Sequence, residues 1–181
     1  MPDAQPWCLF LRAVNVAGHA PLRMESLRDE LMRAGLTDVR TVLASGNVTC
    51  RSALDAAALK SRVEEALGAL VGHPVSVILR QPQEIDALLA ATAPYEAALQ
   101  AGEKLAATLL GARPDAAALA RLAAFDGKGD DAFTLDGTVL VLCRNGYGET
   151  ALSNARIERL LGVNATTRNL ATLRKVRALA G

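Results

Sequence analysis

The order of strand-like and helix-like segments is the feature that most constrains the fold of this 181-residue chain. The first half has an apolar run at Trp7–Val14, a helical pattern that ends at Gly35, and two β-rich runs joined by a tight turn. A second helical pattern after Asp55 and the run Val75–Arg80 complete the order β-α-β-β-α-β. This order is typical of a ferredoxin-like unit, in which two helices cover one face of an antiparallel sheet.

The second half repeats part of this pattern. Lys104–Gly111 is strand-like, Pro114–Ala124 is helical, and the pair Asp136-Gly137 predicts a hairpin between two further strands. Two helices then follow, at Ser153–Leu161 and at about Thr167–Leu179. The predicted fold class is therefore α+β, with two βαββα-type units, the first ferredoxin-like and the second ending in helices.

These patterns also predict how the chain divides. We expect a first unit at residues 1–91, a junction at residues 92–103 and a second unit at residues 104–181, within one two-lobed protein. With 51% hydrophobic residues, the chain has enough apolar side chains for cores in both units.

Composition limits the partners and the compartment. A net charge of +1 gives no overall attraction to nucleic acid or to a membrane. The N-terminus carries an aspartate and two prolines where a signal peptide has lysines and a long apolar run. No segment approaches the roughly 18 apolar residues of a membrane span. We therefore expect a cytoplasmic protein with no membrane partner.

The three cysteines are interpreted as core residues. Cys8, Cys50 and Cys143 are odd in number, far apart and set among strand-forming residues, which argues against a disulfide framework and against a zinc site. No paired-cysteine or H-E-x-x-H spacing occurs, so no metal site is predicted.

One candidate ligand site lies at a rim of the first unit. In the predicted topology, the loop after the first strand lies at the same sheet end as the turn between the second and third strands. Unpaired backbone N–H groups in such loops favour anions or polar ligands. The same residue types are also ordinary turn formers. The rim residues are Asn15, Gly18, Ser45, Gly46 and Asn47.

His19, in the same loop, is the only general base that the sequence suggests for this site. Its ordinary pKa would suit acid–base chemistry. The alternative interpretation is a solvated surface histidine, and the sequence leaves open whether the protein is an enzyme and whether it uses a cofactor.

A second candidate site lies in the segment RNGYGETALSNARIERLLG. Gly146 and Gly148 precede a helix that Ser153 or Asn154 can cap, an arrangement that resembles phosphate-binding loops. Neither the Walker pattern nor the dinucleotide-binding glycine pattern is present, and a plain strand-to-helix loop is the alternative.

The segment VNATTRN follows closely. We predict that Thr166 or Thr167 caps the last helix, whose apolar stripe starts at Leu170. Arg168 would then be a cation in a first helical turn, where it opposes the helix dipole. It would need either a carboxylate partner or an anionic ligand.

Two long stretches carry a family resemblance. LFLRAVNVAGHAPLRMESLRDELMRAGLTDVRTVLASGNV and, far downstream, GYGETALSNARIERLLGVNATTRNLAT resemble the bacterial domain of unknown function 1697 family. The resemblance implies an α+β fold of βαβ-type units in bacterial cytoplasmic proteins without an assigned activity. The positions that match the family motifs are Arg12, Asn15, Gly18, Ser45, Gly46, Asn47, Ser153, Asn154, Thr166, Thr167, Arg168 and Asn169. The chain departs from the family at Ala13 and Ala17, where glycines are usual, at Ala151, often a lysine, and at Leu170, a tryptophan.

The favoured hypothesis is a polar pocket for a small anionic ligand such as a nucleotide or a phosphorylated metabolite. Arg12 and Arg168 would be its cations, and Asn15, Asn47 and Asn169 would orient the ligand by hydrogen bonds. Two alternatives stay open: a nucleic-acid-binding module that uses the basic last helix, and a non-catalytic scaffold or interaction protein. RNA binding through stacking aromatics on the sheet is disfavoured, because the predicted third strand has none.

Overall fold

The structure is a computed structural model that describes residues 3–12, 22–43 and 46–181. Fourteen elements form two repeats of the order β-α-β-β-α-β-α within the described residues. The first repeat comprises β1 (Gln5–Leu11), α1 (Met24–Arg33), β2 (Thr37–Val42), β3 (Asn47–Ser52), α2 (Ala56–Val71), β4 (Val77–Arg80) and α3 (Pro82–Ala97). The second comprises β5 (Lys104–Leu110), α4 (Ala116–Ala123), β6 (Asp131–Leu135), β7 (Thr138–Cys143), α5 (Asn154–Leu161), β8 (Ala165–Asn169) and α6 (Leu170–Leu179).

Each repeat contributes one four-stranded antiparallel sheet. The strand orders are β2-β3-β1-β4 and β6-β7-β5-β8, so the first strand of each repeat is central and pairs with the third and the fourth. This is the ferredoxin-like arrangement. The α+β class and the two-unit organisation expected from the sequence are confirmed.

The contacts divide the chain into two compact units. Unit 1 comprises Met1–Asp86 with Arg174–Gly181, and unit 2 comprises Ala87–Leu173. Helix α3 therefore begins in unit 1 and continues in unit 2, and α6 begins in unit 2 and ends in unit 1. Helix α3 passes through Pro94 to Ala97, so helix occupies part of the segment expected to be a junction.

One face of each sheet packs on its two helices. In unit 1, alternate residues Trp7, Leu9 and Leu11 of β1 join Leu27 of α1 and Leu59 of α2 in one core, as the period of a half-buried strand requires. In unit 2, the corresponding core contains Leu110 of β5, Val141 of β7, Leu122 of α4, Ile157 of α5 and Ala165 of β8.

Three predicted helix starts are confirmed by their caps. The side chain of Asp55 accepts a hydrogen bond from the Ala58 backbone N–H at 2.8 Å, and Ser153 accepts one from Arg156 at 3.3 Å. Asp115 makes the same contact with Ala118 at 2.6 Å. Each cap satisfies a backbone donor that the first turn leaves unpaired.

The prediction for the segment Ala165–Asn169 was wrong. These residues form strand β8, paired antiparallel with β5 from Ala106↔Asn169 to Leu110↔Ala165, and not the start of the last helix. Neither threonine caps α6, because the side chain of Asn169 accepts from the Thr172 backbone N–H at 2.7 Å. The β-branched threonines suit a strand, and an open edge on the central strand favours pairing over helix formation.

The two repeats share their register as well as their topology. The Leu11 N–H donates to Gly46 O in unit 1 as the Leu110 N–H donates to Gly137 O in unit 2. Leu11 also pairs with Val77 as Leu110 pairs with Ala165. The registers therefore define equivalent positions in the two units. These are Trp7 and Ala106, Leu9 and Thr108, Cys50 and Val141, Ser52 and Cys143, Leu79 and Thr167, and Gln81 and Asn169.

Gly127, in the turn before β6, offers a test of packing in unit 2. A Cβ atom at this position would lie 2.2 Å from the Asp130 carbonyl oxygen, a backbone atom, whereas a Cβ at Gly148 would meet nothing within 4 Å. We expect Gly127→Ala to lower the free energy of unfolding by about 1–3 kcal/mol, as for other overpacked sites. Gly148→Ala is the control and should change it by less than about 0.5 kcal/mol. Denaturant unfolding measures both, and equal stability of the two variants would contradict the packing described.

Candidate functional site

A cavity of about 390 Å³ lies within unit 2, on the sheet face that α4 and α5 cover. Its volume falls in the range of small-molecule pockets. Strands β5 and β7 contribute Ala106, Val141 and Cys143 to its lining. Five residues that the sequence singled out also line it, namely Gly148, Ser153, Asn154, Thr167 and Asn169.

The loop of residues 144–152 forms one wall of the cavity, to which it contributes Tyr147, Gly148, Thr150 and Leu152. The Arg144 guanidinium holds the start of the loop through ion pairs of 2.6 Å with both Glu103 and Asp131. Leu152 is buried in the unit 2 core and holds its end.

Tyr147 is tethered between these two ends of the loop. Its hydroxyl donates to the Leu105 carbonyl oxygen at 2.9 Å, while 44% of the residue remains exposed. Burial of the phenol raises the pKa of Tyr147, so the hydroxyl keeps the proton that it donates. The aromatic ring is thereby held in place at the cavity wall.

A chain of polar side chains connects the start of α5 with β8 and β5. Asn154 donates its Nδ2–H to the Ala165 carbonyl at 3.1 Å and accepts at Oδ1 from the Thr167 hydroxyl at 3.0 Å. The Thr167 oxygen lies 2.9 Å from the Thr108 hydroxyl. Because Thr167 donates its proton to Asn154, Thr108 must be the donor in this second bond.

Cap formation uses only part of the hydrogen-bonding capacity of two lining residues. Asn169 Oδ1 accepts from Thr172, and Ser153 Oγ accepts from Arg156. The Nδ2 protons of Asn169 and the hydroxyl proton of Ser153 take no part in these bonds. The polar edge of the cavity therefore offers hydrogen-bond donors.

The described lining contains no charged side chain. Thr166 and Arg168 belong to the opposite face of β8, because side chains alternate along a strand. There the Arg168 guanidinium donates to the Thr166 hydroxyl at 2.7 Å and to the Thr167 carbonyl at 2.9 Å. Burial lowers the pKa of Arg168 to about 10, so it stays charged at neutral pH. Arg168 lies in a strand, and the expected conflict with a helix dipole does not arise.

Three candidate residues of unit 1 take part in the sheet itself. The fully buried Asn47 donates its Nδ2–H to the Val42 carbonyl at 3.0 Å, and Gly46, with φ of 74°, accepts from the Leu11 N–H. The backbone N–H of Arg12 donates to the Ser76 carbonyl. The remaining candidates, Asn15, Gly18, Ser45 and His19, lie outside the described residues.

The cysteines are buried thiols, as interpreted from the sequence. Cys8, Cys50 and Cys143 are all free and buried. Burial raises the pKa of Cys8 and of Cys50 to about 12, and it also raises the pKa of Cys143 at the cavity. A thiol that stays protonated at neutral pH is a poor nucleophile and a poor metal ligand. Over residues 3–12, 22–43 and 46–181, no group of three histidine, cysteine or acidic side chains could hold a metal ion.

The basic last helix does not present all of its cations to solvent. Arg177 pairs with Asp86 at 2.8 Å and also donates to the Gly181 carbonyl.

In the described part of the chain, no helix combines the length and the apolar character needed to cross a bilayer.

Unit 1 shows which side chains the same framework holds at the equivalent place. Trp7 stands at the position of Ala106, and Leu9 and Leu79 stand at the positions of Thr108 and Thr167. The strand-to-helix connection is short, residues 53–54, where unit 2 has residues 144–152. Unit 1 has a cavity of about 340 Å³ at the equivalent place, lined by Trp7, Ser52 and Leu54 and by the acidic residues Asp3 and Asp55. The two cavities therefore differ in lining, since the described lining in unit 2 has Ala106 in place of the indole and no charged side chain.

Sequence reasoning missed much of the cavity lining. The missed residues are Ala106, Val141, Cys143, Tyr147, Thr150 and Leu152. Ala106, Val141 and Cys143 belong to strands and to no ligand motif. Tyr147, Thr150 and Leu152 lie within the segment of the second candidate site, but the sequence analysis did not single them out. The signal that could have found them is the difference in length between the two equivalent connections, since a long loop inside a compact domain is often functional.

Comparison with known proteins places the chain in a family. The model of the family described as protein of unknown function DUF1697 matches residues 5–140. The chain belongs to this family. A solved structure of a conserved bacterial protein from Streptococcus pneumoniae is similar over 99% of this chain and 100% of that chain, with a TM-score of 0.77 and 20% sequence identity. At this identity the similarity shows a shared fold. The comparison with curated proteins gave no match.

The threonine–asparagine chain of this DUF1697 protein can be tested by shape-conserving substitutions. Thr167→Val removes the middle hydroxyl and leaves both Asn154 Oδ1 and Thr108 without their bond. We expect Thr167→Val to lower the free energy of unfolding by about 1–3 kcal/mol. Thr108→Val removes only the last hydroxyl of the chain and should lower it by about 0.5–1.5 kcal/mol. Thr134→Val, on the exposed side of β6, is the control. A larger effect at Thr108 than at Thr167 would contradict the assigned bond directions.

The buried thiols predict resistance to alkylation. At pH 8, iodoacetamide should leave all three cysteines of the folded protein unmodified and should modify all three in guanidinium chloride, as mass spectrometry would show. Because the raised pKa of Cys8 and Cys50 lies near 12, against 9.0 for an ordinary thiol, the folded state retains protons that the unfolded state loses. Stability is therefore expected to fall as the pH rises from about 9 toward 12. Rapid alkylation of the folded protein at pH 8 would contradict the burial described.

Proposed function

We propose that unit 2 is a binding module for a small, acceptor-rich ligand with one anionic group, of the nucleotide or phosphorylated-metabolite class. The cavity formed by β5, β7, β8, the loop of residues 144–152 and the start of α5 is its site. The observation that carries this proposal is the difference in lining between two equivalent cavities. The cavity of unit 1 has the Trp7 indole and the acidic residues Asp3 and Asp55, whereas the described lining in unit 2 has Ala106 and no charged side chain.

The comparison of the two units supports ligand binding over a structural role for the polar lining. Unit 1 builds the same sheet with Leu9 and Leu79 where unit 2 has Thr108 and Thr167. The fold therefore does not require hydroxyl groups at these positions. Burying hydroxyls and leaving space unfilled both cost stability, which favours a function for the arrangement in unit 2.

The chemistry of the lining supports a ligand that accepts hydrogen bonds. The available protons belong to Asn169 Nδ2, to the Ser153 hydroxyl and to the first backbone N–H groups of α5. A helix N-terminus also stabilises negative charge. Since the described lining contains no carboxylate, a cationic ligand would find no charged partner among these residues.

The same lining supports binding rather than catalysis. The only thiol, that of Cys143, has a raised pKa because it is buried. The described lining contains no carboxylate and no imidazole that could act as a general base. The neutral side chains can orient a ligand without transferring a proton.

Thermal shift tests this proposal with a defined panel. The probes are GMP, AMP, UMP, ribose 5-phosphate, glucose 6-phosphate and inorganic phosphate, each at millimolar concentration. At least one organic phosphate should raise the melting temperature, since a ligand at one hundred times its Kd stabilises the folded state by about 2.7 kcal/mol. Ala106→Trp reproduces the residue of unit 1 and should abolish the shift.

Two further variants make the result specific. Ala117→Trp places the same side chain on the exposed surface of α4 and should retain the shift. Gly148→Leu narrows the cavity where an added Cβ meets nothing within 4 Å, and it should weaken binding even if Ala106→Trp fails to fold. A shift that persists in Gly148→Leu, or the absence of any shift from the whole panel, would refute the proposal.

A further inference from the structure

We infer that the buried part of the ligand is a 6-oxopurine ring, so that the site selects nucleotides of guanine or hypoxanthine. This inference rests on the proposed function. Three features of the described residues lead to it, namely the apolar surfaces of the cavity, the ring that unit 1 holds at the equivalent position, and the excess of donors at the polar edge.

The apolar surfaces favour a flat heterocycle over a sugar. Ala106, Val141 and Leu152 line the cavity and offer no side-chain hydrogen bond. A sugar ring carries hydroxyl groups on both faces, and each hydroxyl left unpaired against these residues weakens binding. A heterocycle has two apolar faces and keeps its polar groups on the edge, which matches this division of the lining.

The side chain at the equivalent position in unit 1 indicates the size of ring that the site of unit 2 can hold. The framework of unit 1 holds the bicyclic indole of Trp7 at the position of Ala106 in unit 2. Trp7 is 7% exposed within the unit 1 core and forms part of the wall of the equivalent cavity. A purine is also a flat bicycle of fused six- and five-membered rings, and it has nearly the same outline. A pyrimidine would fill less of the space that the indole fills in unit 1.

Tyr147 supplies an aromatic surface at the wall of the cavity. Its hydroxyl is fixed on the Leu105 carbonyl, so the ring is held at both ends, by its backbone and by its tether. Stacking of a base on a preordered aromatic ring strengthens binding. Gly146 and Gly148 flank Tyr147 in the sequence, and a Cβ atom added at either position would meet nothing within 4 Å.

The edge of the cavity selects the oxo group over the amino group. The Oδ1 atom of Asn169 accepts a hydrogen bond from the Thr172 N–H. Asn169 can therefore act toward a ligand as a donor, through its Nδ2 protons. The O6 and N7 atoms of guanine and hypoxanthine are both acceptors, whereas adenine presents an N6 amino donor beside N7. A donor facing the amino group of adenine would leave both unpaired.

Isothermal titration calorimetry with GMP, IMP, AMP, UMP and ribose 5-phosphate tests the inference on the full chain. GMP and IMP should bind at least tenfold more tightly than AMP and UMP, and at least a hundredfold more tightly than ribose 5-phosphate. Tyr147→Leu should weaken GMP at least tenfold and leave ribose 5-phosphate unchanged. Tyr147→Phe, which keeps the ring and loses the tether, should have an intermediate effect.

Asn169→Asp is the sharpest variant, because aspartate retains the oxygen that caps α6 and replaces the donor by an acceptor. It should lower the ratio of GMP to AMP affinity at least tenfold with little change in melting temperature. An unchanged ratio would overturn the assignment of Asn169. Equal affinity for ribose 5-phosphate and GMP, with both lost in Gly148→Leu, would overturn the 6-oxopurine and leave the proposed function standing. Failure of every organic phosphate to bind would refute the proposed function itself.

Discussion

The antiparallel register of the central strand β5 determines which side chains the candidate site receives. Its pairing with β8, from Ala106↔Asn169 to Leu110↔Ala165, turns Thr167 toward α5 and Arg168 toward the opposite face. A slip of one residue would exchange the two, which would take the Thr167 hydroxyl away from Asn154 and Thr108 and would bring a guanidinium into the cavity lining. The neutral character of the cavity is therefore a consequence of strand pairing, and the bond between Thr167 and Asn154 holds α5 to that register.

Two copies of one framework with different contents make the cavity interpretable. In unit 1 the central strand, the fourth strand and the second helix pack through Trp7 and Leu79, and their connection is short. In unit 2 the small residue Ala106 and the hydroxyl of Thr167 replace them, and the longer loop adds a wall that carries Tyr147. Because the strands pair in the same register in both units, a side chain found in only one unit is not required by the fold. Packing alone favours the contents of unit 1.

The sequence predicted the elements whose signals are local. Period-two runs, helical stripes, the caps Asp55 and Ser153, and the Asp136-Gly137 hairpin all depend on neighbouring residues, and the structure contains each of them. Strand β8 was missed because its signal is not local. Five residues with two threonines and an asparagine also fit a helix start, and only the unpaired edge of β5, about sixty positions earlier in the chain, decides between the two. The site was predicted in part for the same reason: Ser153, Asn154, Thr167 and Asn169 belong to recognisable motifs, whereas Ala106 matters only because of the side chain that it lacks.

The small side chain of Ala106 leaves space in the core of unit 2. A cavity is usually opposed by the gain from filling it, about 24 cal/mol for each Å³ in large-to-small core substitutions. Unit 2 retains its space beside a polar chain that fixes Asn154, Thr167 and Thr108 in one arrangement, each hydrogen-bonded to the next. Satisfied polar groups of this kind cannot collapse inward without losing their partners. The network therefore fixes the start of α5 in position against β8. It leaves the donors of Ser153 and Asn169 at the edge where a ligand would enter.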